Sequence, residues 1–161
     1  MYIEKEKACS FTGHRQIKGE LIYTVQSLVE YHVERLVEEG YTDFICGGAL
    51  GFDTLAASTV INLRSKYKHI RLLLAIPHLG QEAHWSFQDR ALYRDILRSA
   101  DDSIVLSNRY TPTCMGVRNR YMIDNSNICI AYVTEDKGGA YNTVKYALTR
   151  DIKIINIASE L

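Results

Sequence analysis

Three side chains in this sequence stand where their chemistry could be used. Met115, Arg118 and Met122 fall at i, i+3 and i+7, which sets one guanidinium on a helix face otherwise made of thioethers. A cation so placed needs an anion. Arg118 therefore either neutralises an internal carboxylate or grips a ligand phosphate or carboxylate through its two-pronged donor geometry. Its neighbour Asn119 serves either the same site or the helix surface. Asp53 follows Gly47-Gly48-Ala49-Leu50-Gly51, where a strand breaks into glycines and a helical pattern begins. A carboxylate in a first helical turn occupies a favourable field and repels phosphate, so Asp53 either stabilises its helix or takes a sugar hydroxyl or an amine. The third is Arg15, in the turn Gly13-His14-Arg15. If a nucleotide binds, its phosphate belongs near Arg15 or near the glycine pair Gly138-Gly139.

Several familiar chemistries are excluded by spacing. Gly47-Gly48-x-x-Gly51 is not G-x-G-x-x-G and follows the second strand rather than the first, and no G-K-[S/T] occurs, so neither a standard dinucleotide fingerprint nor a P-loop is present. No G-x-S-x-G elbow appears. Cys9, Cys46, Cys114 and Cys129 are scattered without a C-x-x-C pair, and three of them lie in apolar strand-like runs. They read as reduced and mostly structural, with Cys9, Cys46 and Cys129 buried, and no spacing supports a metal site.

Composition narrows the partners. The 161 residues suffice for one domain with a proper core, and 47% of them are hydrophobic. Lysine plus arginine equals aspartate plus glutamate at 19 each, which removes the usual electrostatic footprint of a polyanion binder and disfavours nucleic acid and membrane surfaces. The cluster Lys66, Lys68, His69 and Arg71 reads as a solvated face first and a nucleic-acid contact second. No apolar run spans a bilayer and the first seven residues are charged, so a cytoplasmic protein is expected.

The elements that must hold these residues alternate. Strands are predicted at 7–11, 42–46, 70–76, 103–106, 127–133 and 153–157. Helices are predicted from 19 to about 40, from Phe52 to about Leu63, at 89–100, from 114 to about 125 and at 141–149. Such alternation implies an α/β fold with a mainly parallel sheet and right-handed crossovers. Ligands of such sheets sit beyond the carboxyl ends of the strands. The turns at Gly13-His14-Arg15, Gly47-Gly48, Pro77-His78 and Gly138-Gly139 all follow strands and should converge there. Arg120 and Asp124 read as an i, i+4 surface ion pair. His32, on the apolar stripe of the first helix, reads as a core or subunit-interface residue, which leaves a homo-oligomer open.

Four stretches, taken in order, resemble the YpsA-like branch of the SLOG superfamily. They are Ser10 to Arg15, Gly47 to Asp53, Cys114 to Ser126 with Met115-x-x-Arg118-Asn119-x-x-Met122 at its centre, and Gly138 to Thr143. The resemblance extends over nearly the whole chain. The resemblance implies a Rossmann-like three-layer sandwich, a single domain binding a nucleotide or nucleotide-derived small molecule such as an ADP-ribose or NAD-type ligand. It implies ligand contacts from Gly13, His14, Arg15, Gly47, Gly48, Ala49, Gly51, Asp53, Pro77, Arg118, Asn119, Gly138, Gly139 and Thr143, with no cofactor or metal required. LOG-type phosphoribohydrolases of the same superfamily carry M-x-x-R-K-x-x-M and P-G-G-x-G-T-x-x-E. Here Asn119 replaces the lysine, Lys137 the proline, and Lys145 or Tyr146 the catalytic acid. The matched residues thus support binding better than turnover, which fits a sensor or regulator. The alternative is a LOG-like N-glycosidic hydrolase with Asp53 or Asp124 as its acid. A DprA-like DNA binder is a third reading, which the neutral charge disfavours.

Overall fold

A computed structural model describes residues 1–161. Six strands form one sheet in the order β4-β3-β2-β1-β5-β6, every neighbouring pair parallel. They are β1 (Ala8–Gly13), β2 (Asp43–Cys46), β3 (Arg71–Ile76), β4 (Asp102–Val105), β5 (Ile128–Tyr132) and β6 (Lys153–Asn156), and the helices between them are α1 (Ile22–Glu38), α2 (Phe52–Leu63), α3 (Phe87–Ser99), α4 (Cys114–Asp124) and α5 (Gly139–Thr149). The expected three-layer α/β sandwich is what the chain forms.

The period of two along the strands explains the layers. Cys9 and Phe11 of β1, Phe44 and Cys46 of β2, and Leu72 and Leu74 of β3 face α1, α2 and α3, forming the larger core with Val25, Val29, Val33, Phe52 and Val60. Their neighbours Ala8, Ile45, Leu73 and Ala75 face the other way and meet Met122 of α4, while Cys129 packs with Ile123, Ala147 and Ile152. The continuous apolar runs of β3 and β5 follow from this double coverage.

Strands one to four step outward to one side of β1, and the chain then returns to place β5 on its other side. The order reverses between β1 and β5. A crevice opens there, because the loops leaving these two strands turn to opposite faces of the sheet.

Three elements depart from the sequence reading. β1 extends two residues beyond Phe11, because Thr12 and Gly13 gain partners in Ala131 and Tyr132 of β5. α3 starts at Phe87 since the Ser86 hydroxyl accepts the Asp89 N–H at 3.1 Å, a cap at N3 spacing. α5 begins at Gly139, so the second glycine of the pair lies inside the helix rather than in a turn before it. Trp85 packs edge-on against Tyr93 at 5.3 Å and so covers the core edge, and His32 bonds Glu160 at 2.8 Å.

All four cysteines are free and buried. Burial holds the Cys9 and Cys46 thiols well above the usual range and pushes Cys129 up to about 12. Thiol labelling of the native protein at pH 8 is therefore expected to run at least about a hundredfold slower than in denaturant, since it needs local opening and a thiolate. Rapid native modification of Cys9, Cys46 and Cys129 would contradict this packing.

Candidate functional site at the topological switch point

The β1 loop is shaped by what it packs against. The Phe52 N–H at the head of α2 donates to the His14 carbonyl at 3.1 Å. Gly51 lies at φ +77°, and a Cβ there would overlap the backbone carbonyl of Arg15. A Cβ on Gly13 would stand 2.5 Å from the Phe52 ring. These glycines make room for neighbouring parts of the chain, and Gly51 is not among the residues that line the cavity described next. Across the crevice, His14 Nε2 accepts the Thr134 N–H at 2.9 Å, which requires the neutral ring with its proton on Nδ1. That bond ties the β1 loop to the loop leaving β5.

Within this frame lies a cavity of about 270 Å³, walled by Thr12, Gly13, His14 and Arg15 from β1 and its loop, Ala49 and Asp53 from the start of α2, Met115, Arg118 and Asn119 from α4, and Gly139 from α5. Eight of the residues singled out in the sequence thus line one space: Gly13, His14, Arg15, Ala49, Asp53, Arg118, Asn119 and Gly139. Gly47 stands directly behind it, its carbonyl accepting from Arg118 Nη1.

Four residues are placed elsewhere. Gly48 turns toward Gln81, which donates to its carbonyl at 3.4 Å. Pro77 is buried at the end of β3, where Leu79 N–H bonds the Ser107 carbonyl at 3.1 Å and draws that loop toward β4 and away from the cavity. Gly138 precedes α5 at φ +93° with open space around it. Thr143 sits one turn into α5, returns its hydroxyl to the Gly139 carbonyl at 2.8 Å and lines an adjoining chamber. All four loops leave the carboxyl edge of the parallel sheet, as expected, and three of them meet at this cavity. Phe11, Thr12 and Ala140 also line the cavity. Thr12 continues the alternation Ala8, Ser10, Thr12 on the α4 side of β1, a signal that becomes visible once β1 is known to reach Gly13.

The electrostatic centre is Arg118. Only 5% exposed, it donates through Nε to Asn119 Oδ1 at 2.8 Å and through Nη1 to Gly47, while Nη2 finds only the Met115 sulfur at 3.9 Å. Asp53, 6% exposed, accepts the Ala49 N–H at 3.1 Å. The two side chains meet over Gly47, where an added Cβ would lie 2.5 Å from Arg118 Nη1 and 2.8 Å from Asp53 Oδ2. Burial pulls the Arg118 pKa down, against the pull of Asp53. Burial likewise raises Asp53, opposed by Arg118 and the Ala49 N–H. Asp53 is the sole carboxylate lining the cavity. Arg15, exposed and without an ion-pair partner, adds a second positive charge at the mouth.

The sign of the resulting pH dependence follows from linkage. A carboxyl raised in the folded state binds its proton more tightly there than in the unfolded chain, so folding gains stability as pH falls through the folded pKa toward the ordinary 3.8. Wild-type stability, relative to Asp53→Asn, is expected to rise as pH drops from 7 toward that value in urea-unfolding series. A relative fall would mean that Arg118 outweighs burial.

One further expectation changes. Asp124 does not pair with Arg120. Its carboxylate accepts the Tyr146 hydroxyl at 2.7 Å and pairs with Arg150 at 3.5 Å, because α5 packs beside this end of α4. In the basic cluster, Lys66 pairs with Glu34 and Arg71 with Asp43, each at 2.9 Å, which supports the solvated-face reading. No three His, Cys, Asp or Glu side chains gather as a metal site, and no helix is long and apolar enough to cross a membrane.

Similarity to known proteins agrees with this architecture. A UPF0398 protein of Halalkalibacterium halodurans is 34% identical over 118 residues, covering 72% of this chain and 62% of that protein. The SPbeta prophage-derived protein YoqJ of Bacillus subtilis is 30% identical over 144 residues, covering 82% of this chain and 80% of YoqJ. The chain thus spans about 62% of the length of the UPF0398 relative. Among solved structures, DNA processing protein A of Streptococcus pneumoniae superposes with a TM-score of 0.65 at 15% identity, over 92% of this chain and 49% of that one. The Helicobacter pylori protein of the same name, whose structure describes its binding of single-stranded DNA, gives 0.67 at 15% identity, over 94% and 65%. At such identity these structures establish a shared fold. The YpsA family model matches residues 11–157, which contain every lining residue named above, and the chain belongs to the YspA SLOG family.

Proposed function

We propose that this protein binds a nucleotide or nucleotide-derived small molecule in the switch-point cavity and acts in the cytoplasm as a ligand sensor or regulator. The observation that carries this reading is Arg118. A buried guanidinium with one amino group meeting only a thioether, beside a second cation at Arg15 and the open amino end of α5 at Gly139, suits an anionic group. Asp53 and Asn119 on the same wall suit hydroxyl or amine groups of a sugar or base. Titration calorimetry with AMP, ADP-ribose and NAD tests it. Saturable binding of one of these to wild type, lost on filling the cavity with Ala140→Trp, is the expected result, and no binding of any would contradict it.

A second reading comes from the likeness to DNA processing protein A, whose Helicobacter pylori form binds single-stranded DNA. That likeness removes the neutral charge as a sufficient argument against nucleic acid. A single-stranded oligonucleotide in the same titration separates the two, since a strand needs a continuous basic groove and would bind with a steep salt dependence.

Turnover is not expected. The α5 residues at the acid position of LOG enzymes are occupied elsewhere: the Tyr146 hydroxyl bonds Asp124, and the Lys145 ammonium lies 5.4 Å from the centre of the Tyr141 ring. Chromatography after long incubation with nucleoside monophosphates should show no protein-dependent release of free base. Release that disappears in Asp53→Asn would make the protein a hydrolase with Asp53 as its acid.

A further inference from the structure

Beside the cavity lies a second chamber of about 260 Å³ between α4 and α5, and Met115, Asn119 and Gly139 form walls of both spaces. We infer that the ligand carries a second anionic group lodged in this outer chamber and met there by Arg120, so that the preferred class is a nucleoside diphosphate or a diphosphate ester rather than a monophosphate. This rests on the nucleotide reading above and specifies its ligand.

Three features of the chamber support the assignment. Arg120 lines it without a protein partner, because the carboxylate one helical turn on, Asp124, is already held by Tyr146 and Arg150. No carboxylate lines the chamber, so nothing there neutralises the guanidinium, and the free amide of Asn142 adds donors on the α5 side. The wall that the two spaces share carries no side chain at Gly139. A Cβ on Gly139 would meet nothing within 4 Å, and one on Gly116 would meet only Arg120 Nη2, at 3.7 Å. The inner cavity, at about 270 Å³, already holds Arg118 for a first anionic group. Two cations on one helix, each facing its own chamber, match two successive anionic groups.

The test compares AMP and ADP by calorimetry on wild type, Arg120→Ala and Arg120→Gln. Arg120 is exposed and unpaired, so these variants fold as the parent does. Wild type should bind ADP about tenfold or more tightly than AMP, as a charge-assisted contact requires. Both variants should keep the AMP affinity and bring ADP to within about threefold of it. Binding of both nucleotides with the same ratio in all three proteins overturns this inference and leaves the nucleotide reading standing. Binding of neither nucleotide to wild type overturns the two together.

Discussion

Arg118→Ala is expected to destabilise the ligand-free protein by about 3–5 kcal/mol, the cost of removing one partner from a buried set of charges. For a domain of this size that is a loss of on the order of 10 °C in melting temperature. Gly47 loses the donor to its carbonyl, Asn119 loses its partner, and Asp53 keeps a buried carboxylate with one backbone N–H for compensation. The same substitution should weaken binding of a phosphorylated ligand by about tenfold to a hundredfold, the worth of one charge-assisted contact. Arg118→Lys keeps the charge but cannot serve Nε and Nη1 partners in one plane, so it should recover part of each loss. The coupling with Asp53 is separable. Asp53→Asn combined with Arg118→Met removes both charges, and the pair should cost clearly less than the sum of the single variants in melting experiments. Strict additivity would show that Asp53 and Arg118 do not sense one another.

Gly51→Ala should be the most damaging substitution of a single hydrogen atom by a methyl group in this chain. Gly51 lies at φ +77° and ψ −117°, outside the left-handed helical region and open chiefly to glycine, so a residue with a Cβ there costs about 1–3 kcal/mol in strain. Here the added carbon also overlaps the Arg15 carbonyl, a backbone group that cannot swing aside as a side chain could. The β1 loop must then lift from α2, breaking the bond from Phe52 N–H to His14 and the position of Arg15 at the cavity mouth. A total of about 3–5 kcal/mol is expected. Gly80→Ala is the control, since Gly80 has the same φ of +77° and nothing within 4 Å of the added carbon. Denaturant unfolding should show Gly80→Ala losing only the strain. Equal losses in the two variants would mean that the approach of Arg15 to Gly51 carries no weight.

The layout was readable because it rests on local pattern. Period-two strands, 3.6-period helices and glycine breaks placed all six strands and five helices within a few residues and brought Arg118, Asp53 and Gly139 into one neighbourhood. What escaped depends on contacts between distant segments. That Gly51 and Gly13 make room for Arg15 and Phe52 follows from the packing of β1 against α2, which no local spacing reveals. Asp124 was assigned to Arg120 by helical spacing, whereas Tyr146 and Arg150 approach it from α5. Pro77 follows a strand as the other turns do, but β3 lies two strands from the switch point and its loop is bonded toward β4. Nor does helical spacing show how Arg118 divides its donors: Nε and Nη1 bond Asn119 and Gly47, while Nη2 meets only the Met115 sulfur.

The most direct test of the central claim is a backbone amide NMR titration of the wild-type protein with AMP. The proposed site predicts saturating shifts concentrated at Gly13, His14, Ala49, Asp53, Asn119 and Gly139, with the β3 and β4 loops unmoved. Absence of saturable shifts, or shifts confined to residues outside this set, would contradict nucleotide binding at the switch point.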